Sequence, residues 1–180
     1  MRVSEIMTRA VKTCRECDSL DLPARLMREN DIGAVVVIDE RGRATAMITD
    51  RDVCMAAHAH GQSLREIPVR FGMSRTLHTC SEADVVAAAE KTMQAHRVRR
   101  LPVVNADSKL VGIVSLDDIA KAAVQQRQCI RHEVSDEEIG HTLAEICNPT
   151  PLVPATVHGE TLREPEASRP TNPRRKKSTT

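Results

Sequence analysis

Apolar runs of strand length occur along the chain in two close pairs, residues 34–38 with 44–48 and residues 101–104 with 110–114. Four to five residues each, rich in Val, Ile and Leu, they predict short strands. The segments between partners, Asp39-Glu40-Arg41-Gly42 and Asn105-Ala106-Asp107-Ser108, use residues that tolerate tight bends. A segment of helical spacing precedes each pair. In the second, Ser81 with Asp84 three residues on predicts an N-cap, and Val85, Ala88, Ala89 and Met93 follow at helical intervals. In the first, Pro23 has to lie in the opening turn, so that helix is expected to start near Ser19 or to have a distorted opening. Short extended lead-ins at 11–13 and 77–79 come before these helices, and second helices at about 50–60 and 116–127 follow the strands.

The two halves are copies. Shifted by 66 residues, positions 3–53 align with 69–119 without a gap, and ten of the 51 pairs are identical, among them Met7/Met73, Cys14/Cys80, Asp18/Asp84 and Asp52/Asp118. An internal duplication is the economical reading. Each copy reads β-α-β-β-α, an α/β (α+β) unit too small to bury both faces of its sheet. Packing the two copies sheet to sheet about a pseudo-two-fold axis solves that problem. The expected organisation is repeat one at 1–60, a linker at 61–68, repeat two at 69–127, a helical extension at 128–148 and a tail at 149–180. The extension opens with the capping box Ser135-Asp136-Glu137-Glu138, followed by Ile139, Leu143 and Ile146 on one face. Six prolines from Pro149 to Pro173 leave the tail extended or disordered.

The chemistry-bearing motif is also duplicated. Each second strand ends in a hydroxyl residue with a carboxylate three positions on, Thr49-x-x-Asp52 and Ser115-x-x-Asp118. A helix starting there offers backbone N–H groups to an anion, and the carboxylate can accept two hydrogen bonds from a sugar diol. Either motif alone is equally an ordinary helix cap; two copies in matching order favour a ligand site. Arg99 and Arg100 precede the second repeat's strand, and alternation sends them to opposite faces. At most one should face a cleft, and Arg100 is the candidate phosphate contact. Arg51 is a lesser candidate.

Composition narrows the function. The chain has no Trp or Tyr, and Phe71 is its only aromatic residue, which argues against base-stacking platforms for single-stranded nucleic acid. The formal charge of +1 hides an asymmetry: residues 169–180 hold five bases and no acid, leaving the preceding 168 residues with 21 bases against 25 acids, or −4. Such a body binds nucleic acid poorly, and the Arg174–Lys177 run gives at most a non-specific, salt-sensitive attraction. No apolar N-terminal stretch reads as a signal peptide and no run reaches membrane-spanning length, so a cytoplasmic location without membrane contact is expected. The six cysteines then read as thiols. Cys14-x-x-Cys17 could suggest zinc or a redox pair, but its copy at 80–83 has Ala83, so no second CxxC completes a tetrahedral site. No G-x-S-x-G, no Walker loop and no catalytic carboxylate pair are present, and no enzymatic activity is expected.

The tandem pattern resembles a pair of cystathionine-β-synthase (CBS) domains, the Bateman module. The likeness spans residues 1–127 and is carried by the paired Thr49/Asp52 and Ser115/Asp118 motifs, by Arg100-Leu101-Pro102-Val103-Val104, and by the Met7-Thr8 and Met73-Ser74 openings. It implies a regulatory module, with no required cofactor, that binds AMP, ADP, ATP or S-adenosylmethionine in clefts between the repeats. By that resemblance Asp52 and Asp118 bind ribose hydroxyls, Thr49 and Ser115 bind phosphate, and backbone around Gly33, Ala34, Arg100 and Pro102 lines the adenine pocket. It also implies a homodimer formed through the helices. Ala46 stands where repeat two has Gly112, and Val36 where it has Pro102, so Ser115/Asp118 is the better expected site. The alternative is a structural dimer that recruits a protein or nucleic acid through the 135–147 helix and the basic tail.

Overall fold

The structure, a computed structural model, describes residues 1–126 and 136–147. In chain order the elements of the first half are α1 (Val3–Ile6), β1 (Thr13–Cys14), α2 (Asp21–Asn30), β2 (Ala34–Ile38), β3 (Ala44–Thr49) and α3 (Asp50–His60). The second half contributes β4 (Cys80–Ser81), α4 (Val86–His96), β5 (Arg100–Val104), β6 (Leu110–Ser115) and α5 (Leu116–Gln126), and α6 (Asp136–Cys147) follows. Two three-stranded sheets result, β1-β2-β3 and β4-β5-β6, each with its first pair parallel and its second antiparallel. The duplication extends to register. Val36 faces Met47 as Pro102 faces Ile113, and the antiparallel pairing slips after Val37 as it does after Val103.

Burial on both faces of the central strands sets the layering. Val35 and Val37 of β2 join the core beneath α2 and α3, while Ala34 and Val36 on the opposite face are buried as well. In β5, Leu101 and Val103 point to the second core and Pro102 is buried on the other face. Strands covered on both sides need a second layer, and here it is the other sheet, as the repeat pattern predicts.

The sequence repeat and the packing unit differ at their leading segments. Val3 and Met7 pack in the core of the second half, and Ile67 and Val69 in that of the first. Thr8 and Ile113 exchange backbone hydrogen bonds of 2.9 Å, while the Ser74 N–H donates to the Met47 carbonyl at 2.8 Å. Each lead-in therefore runs along the last strand of the other repeat. Gly112 permits the closest of these approaches, because a Cβ there would lie 2.5 Å from Met7 Sδ and 3.2 Å from the Thr8 carbonyl oxygen.

Two local expectations are corrected. Ser81 does not cap α4, which starts at Val86 with Val85 as its N-cap and no side-chain cap bond. Instead the Ser81 N–H donates to Asp84 Oδ2 (2.8 Å) and the Ala83 N–H to Ser81 Oγ (3.2 Å), closing a turn between β4 and α4. The short polar side chains satisfy turn backbone as readily as a helix end. The apolar face shifts accordingly: Val86, Ala89 and Met93 are buried, whereas Val85 is 55% exposed. In the first repeat α2 begins at Asp21 with Pro23 in its opening turn.

Helix α6 lies on α4 and α5. Ile139 and Ile146 pack against the second core, Thr142 is fully buried, and Gln94 Nε2 donates to Thr142 Oγ1 at 2.7 Å. Ser135, the Glu138 side chain of the expected capping box, and the 149–180 tail lie outside the described residues. Among the described residues no helix is long and apolar enough to cross a membrane.

Candidate functional site between the repeats

Each duplicated hydroxyl and carboxylate sits at a strand-to-helix junction. Thr49 ends β3 in extended conformation (φ −111°, ψ 167°) and caps α3. Its Oγ1 donates to Asp52 Oδ2 at 2.7 Å, its N–H donates to the same oxygen at 2.9 Å, and its hydroxyl oxygen accepts from the Asp52 N–H at 3.2 Å. Ser115 repeats the arrangement with Asp118 at 2.6, 2.9 and 3.3 Å. Both carboxylates thus take two hydrogen bonds on Oδ2, and no hydrogen bond from the described residues reaches Oδ1. The geometry redistributes the expected roles. Each hydroxyl proton is already donated to a carboxylate, so the hydroxyl meets a phosphate as a donor only after rotating. The first N–H of α5, that of Leu116, is used by the Arg99 carbonyl at 3.0 Å.

A cavity opens beside each junction, and both cross from one repeat to the other. The Ser115 cleft, of about 470 Å³, is walled by Ser115, Asp117, Asp118 and Lys121 of the second half, with Thr8, Lys12 and residues 30–34 of the first. The Thr49 cleft, of about 250 Å³, is walled by Thr49, Asp52 and Met47 of the first half, with Ser74, His78 and residues 97–100 of the second. These walls are twins: adding 66 to Thr8, Lys12 and 31–34 gives Ser74, His78 and 97–100. Ala34 and Arg100, themselves twins, line both clefts. Gly33 is the close neighbour of that arginine, since a Cβ on it would lie 3.3 Å from Arg100 Nη2.

The structure therefore brings Thr49, Asp52, Ser115, Asp118, Gly33, Ala34 and Arg100 to the two clefts. Pro102 departs from expectation: it is buried and lines neither cavity, because it lies two residues deeper than Arg100 on the face between the sheets. Arg99 departs as well. It joins Arg100 in the wall of the Thr49 cleft, since strand β5 begins only at Arg100 and alternation does not govern the residue before it. Arg51 lines neither cleft; its N–H is held by Asp50 Oδ1 at 2.7 Å.

Several wall residues were not legible as such. Lys12 and His78 belong to lead-ins, and Asp31 and Arg97 are helix C-caps in left-handed conformation (φ 51° and 53°). His78 stacks on His96 with ring centroids 3.6 Å apart, and burial together with the neighbouring ring pushes its pKa down. The thiol candidates have a different environment. Cys14 and its twin Cys80 are pushed up to about 12, by burial first and then by Asp18 and Asp84. Such thiols are poor nucleophiles and poor metal ligands. Among the described residues no cluster of three or more His, Cys, Asp or Glu could hold a metal ion.

Comparison with known proteins agrees with this architecture. The chain matches the CBS domain family twice, over residues 3–59 and 64–125. It is 35% identical over 117 residues to the uncharacterized protein MK0525 of Methanopyrus kandleri, a match covering 65% of this chain and 60% of that protein. The CBS domain-containing protein YhcV of Bacillus subtilis is 32% identical over 144 residues, with 80% and 94% covered. Among solved structures, CBSX2 in complex with AMP superposes with a TM-score of 0.62 at 24% identity, covering 70% of this chain and 98% of that one. The CBS domain pair of MJ0100, in complex with 5′-methylthioadenosine and S-adenosyl-L-methionine, gives 0.61 at 24% identity, covering 68% and 98%. At that identity these two structures show a shared fold.

Proposed function

The chain belongs to the CBS-domain family, and from that premise we propose that it is a non-catalytic regulatory module whose inter-repeat clefts take adenosyl ligands: AMP, ADP, ATP or S-adenosylmethionine. The observation that carries this reading is the twin construction of the clefts, each pairing a Ser/Thr–Asp junction from one repeat with the lead-in and helix end of the other. In each junction one carboxylate oxygen is left for a ribose diol. AMP in CBSX2 and methylthioadenosine with S-adenosylmethionine in MJ0100 are ligands of proteins with this fold. The Ser115 cleft is the primary site, because about 470 Å³ falls within the roughly 300–1,000 Å³ of small-molecule pockets, whereas about 250 Å³ falls below it. Regulation follows from linkage. A ligand touching both repeats favours the arrangement it fits by its differential affinity, and at 100 times its Kd it stabilises the fold by about 2.7 kcal/mol. Calorimetric titration of the full chain with AMP, ATP and S-adenosylmethionine tests the reading; absence of binding by all three rejects it.

Self-association belongs to the helices of the first repeat. A groove of about 330 Å³ between α2 and α3 is lined by Ala24, Met27, Arg28, Ile32, Asp50 and Val53. Its twin in the second repeat lies under α6, whose Ile139, Thr142 and Ile146 pack there. The open groove carries one cation and one anion, so a two-fold contact sets Arg28 of each copy against Asp50 of the other. Sedimentation velocity should show a dimer that Arg28→Glu with Met55→Glu, both at exposed positions, converts to monomer; a dimer that survives both changes excludes this face.

A further inference from the structure

The twin clefts differ in charge at positions the fold treats as equivalent. The helix C-cap is Asp31 in the Ser115 cleft and Arg97 in the Thr49 cleft, both with φ near +50°. Two residues on, Gly33 is replaced by Arg99. Among its described lining residues the Thr49 cleft thereby has Arg97, Arg99 and Arg100 with one acid, Asp52, for a formal charge of +2 with His78 neutral. The Ser115 cleft sets Lys12, Arg100 and Lys121 against Asp31, Asp117 and Asp118, for a net charge of zero. Size differs in the same sense. The Thr49 cleft is too small to enclose a whole nucleotide, so part of any such ligand reaches its mouth, where Arg97 and Arg99 are exposed.

We infer that the two clefts sort adenosyl ligands by charge: the Thr49 cleft selects polyanionic nucleotides, di- and triphosphates, and the Ser115 cleft accepts the adenosyl group with little regard to charge. This rests on the adenosyl reading above and adds to it a division of labour. Each added phosphate charge gains attraction from three guanidinium groups in one cleft and meets a balanced wall in the other. Because the arginines at the mouth are solvated, the preference is screened by salt. A cationic sulfonium ligand meets repulsion in the Thr49 cleft and none in the other.

The test isolates each cleft in the full chain. Asp118→Asn weakens the Ser115 cleft and reports on the Thr49 cleft; Asp52→Asn does the reverse. In Asp118→Asn at low salt, calorimetry should show affinity rising about three- to tenfold at each step from AMP to ADP to ATP, with S-adenosylmethionine weakest and the ranking compressed at about 0.3 M salt. In Asp52→Asn, AMP, ADP and ATP should agree within about threefold. A third variant transplants the twin residues, Arg97→Asp with Arg99→Gly on the Asp118→Asn background, and should flatten the ranking while AMP still binds. The left-handed cap already holds an aspartate at the twin position, so this change suits the backbone. Equal affinities for AMP and ATP in Asp118→Asn, or a ranking that survives the transplant, overturn the inference and leave the adenosyl reading standing. Binding of no adenosyl ligand by the unmodified chain overturns both.

Discussion

Substituting Asp118 separates a helix cap from a ligand contact, because the two roles use different oxygens of one carboxylate. Oδ2 accepts from the Ser115 N–H at 2.9 Å and from Ser115 Oγ at 2.6 Å, the second a short, charge-assisted bond. Asp118→Ala removes both and breaks the capping box, although the backbone N–H of residue 118 still donates to Ser115 Oγ; the cost is about 0.5–1.5 kcal/mol, or roughly 2–4 °C in Tm per kcal/mol for a chain of this size. If Oδ1 also accepts a ribose hydroxyl, the same change loses a hydrogen bond to a charged group, worth about 1.5–3 kcal/mol and therefore roughly 10- to 150-fold in Kd. Asp118→Asn distinguishes the two effects. Its carbonyl oxygen can still accept from Ser115, so most of the Tm should return, while its amide turns a donor toward the ligand and the affinity should stay low. Differential scanning calorimetry gives the first quantity and titration with AMP the second. A lowered Tm in Asp118→Ala with an AMP affinity unchanged within about twofold would make the carboxylate a cap and nothing more.

Three further outcomes are expected. Gly112→Ala sets a methyl group against Met7 Sδ and the Thr8 carbonyl; overpacking of this kind costs about 1–3 kcal/mol, and an unaltered melting curve would mean that the crossing lead-in is loosely held. In the native chain at pH 8, Cys14 and Cys80 should resist a thiol reagent that labels exposed Cys17, Cys54 and Cys147, as peptide mapping would reveal. The pH dependence has a definite sign: the fold keeps these two thiol protons up to about 12 while the unfolded chain releases them near 9.0, so stability falls as pH rises through that window. Cys14→Ala with Cys80→Ala should flatten the alkaline slope.

What could be read from the chain was whatever the 66-residue period fixes locally. Strand positions followed from apolar runs within one residue: 34–38 as expected, and 110–114 extended to Ser115. The junction residues followed from the motif, and sheet-to-sheet packing from the burial that a three-stranded unit lacks. What escaped depended on long-range crossing. Nothing local in Met1–Met7 says that Val3 enters the other repeat's core, because its twin Val69 does the same and the repeat pattern is satisfied either way. The same exchange places Lys12 in one cleft wall with Ser115 and His78 in the other with Thr49, residues 103 and 29 positions apart in the chain, which no periodicity encodes. The Ser81 turn was misread for a different reason, since a hydroxyl with a carboxylate three residues on satisfies either a turn or a helix end.

On the proposed adenosyl reading, Arg100 should couple the two clefts by exclusion. It lines both, with Ala34 as its twin in the other repeat, and each guanidinium N–H given to a phosphate in one cleft is lost to the other. Anion binding in one cleft therefore withdraws a cation from the other, and linkage makes that penalty reciprocal. At one hydrogen-bonded charge, about 1.5–3 kcal/mol at most, the second equivalent of a nucleotide should bind up to about 10- to 150-fold more weakly than the cleft it enters binds in isolation. The comparison is between the two-site isotherm of the unmodified chain and the single-cleft affinities of Asp52→Asn and Asp118→Asn. Arg100→Ala should lower both affinities and remove the difference between first and second binding. S-adenosylmethionine, which brings no phosphate, should show no such antagonism in the unmodified chain; if it antagonises as strongly as ATP, the coupling runs through the sheets and not through the arginine.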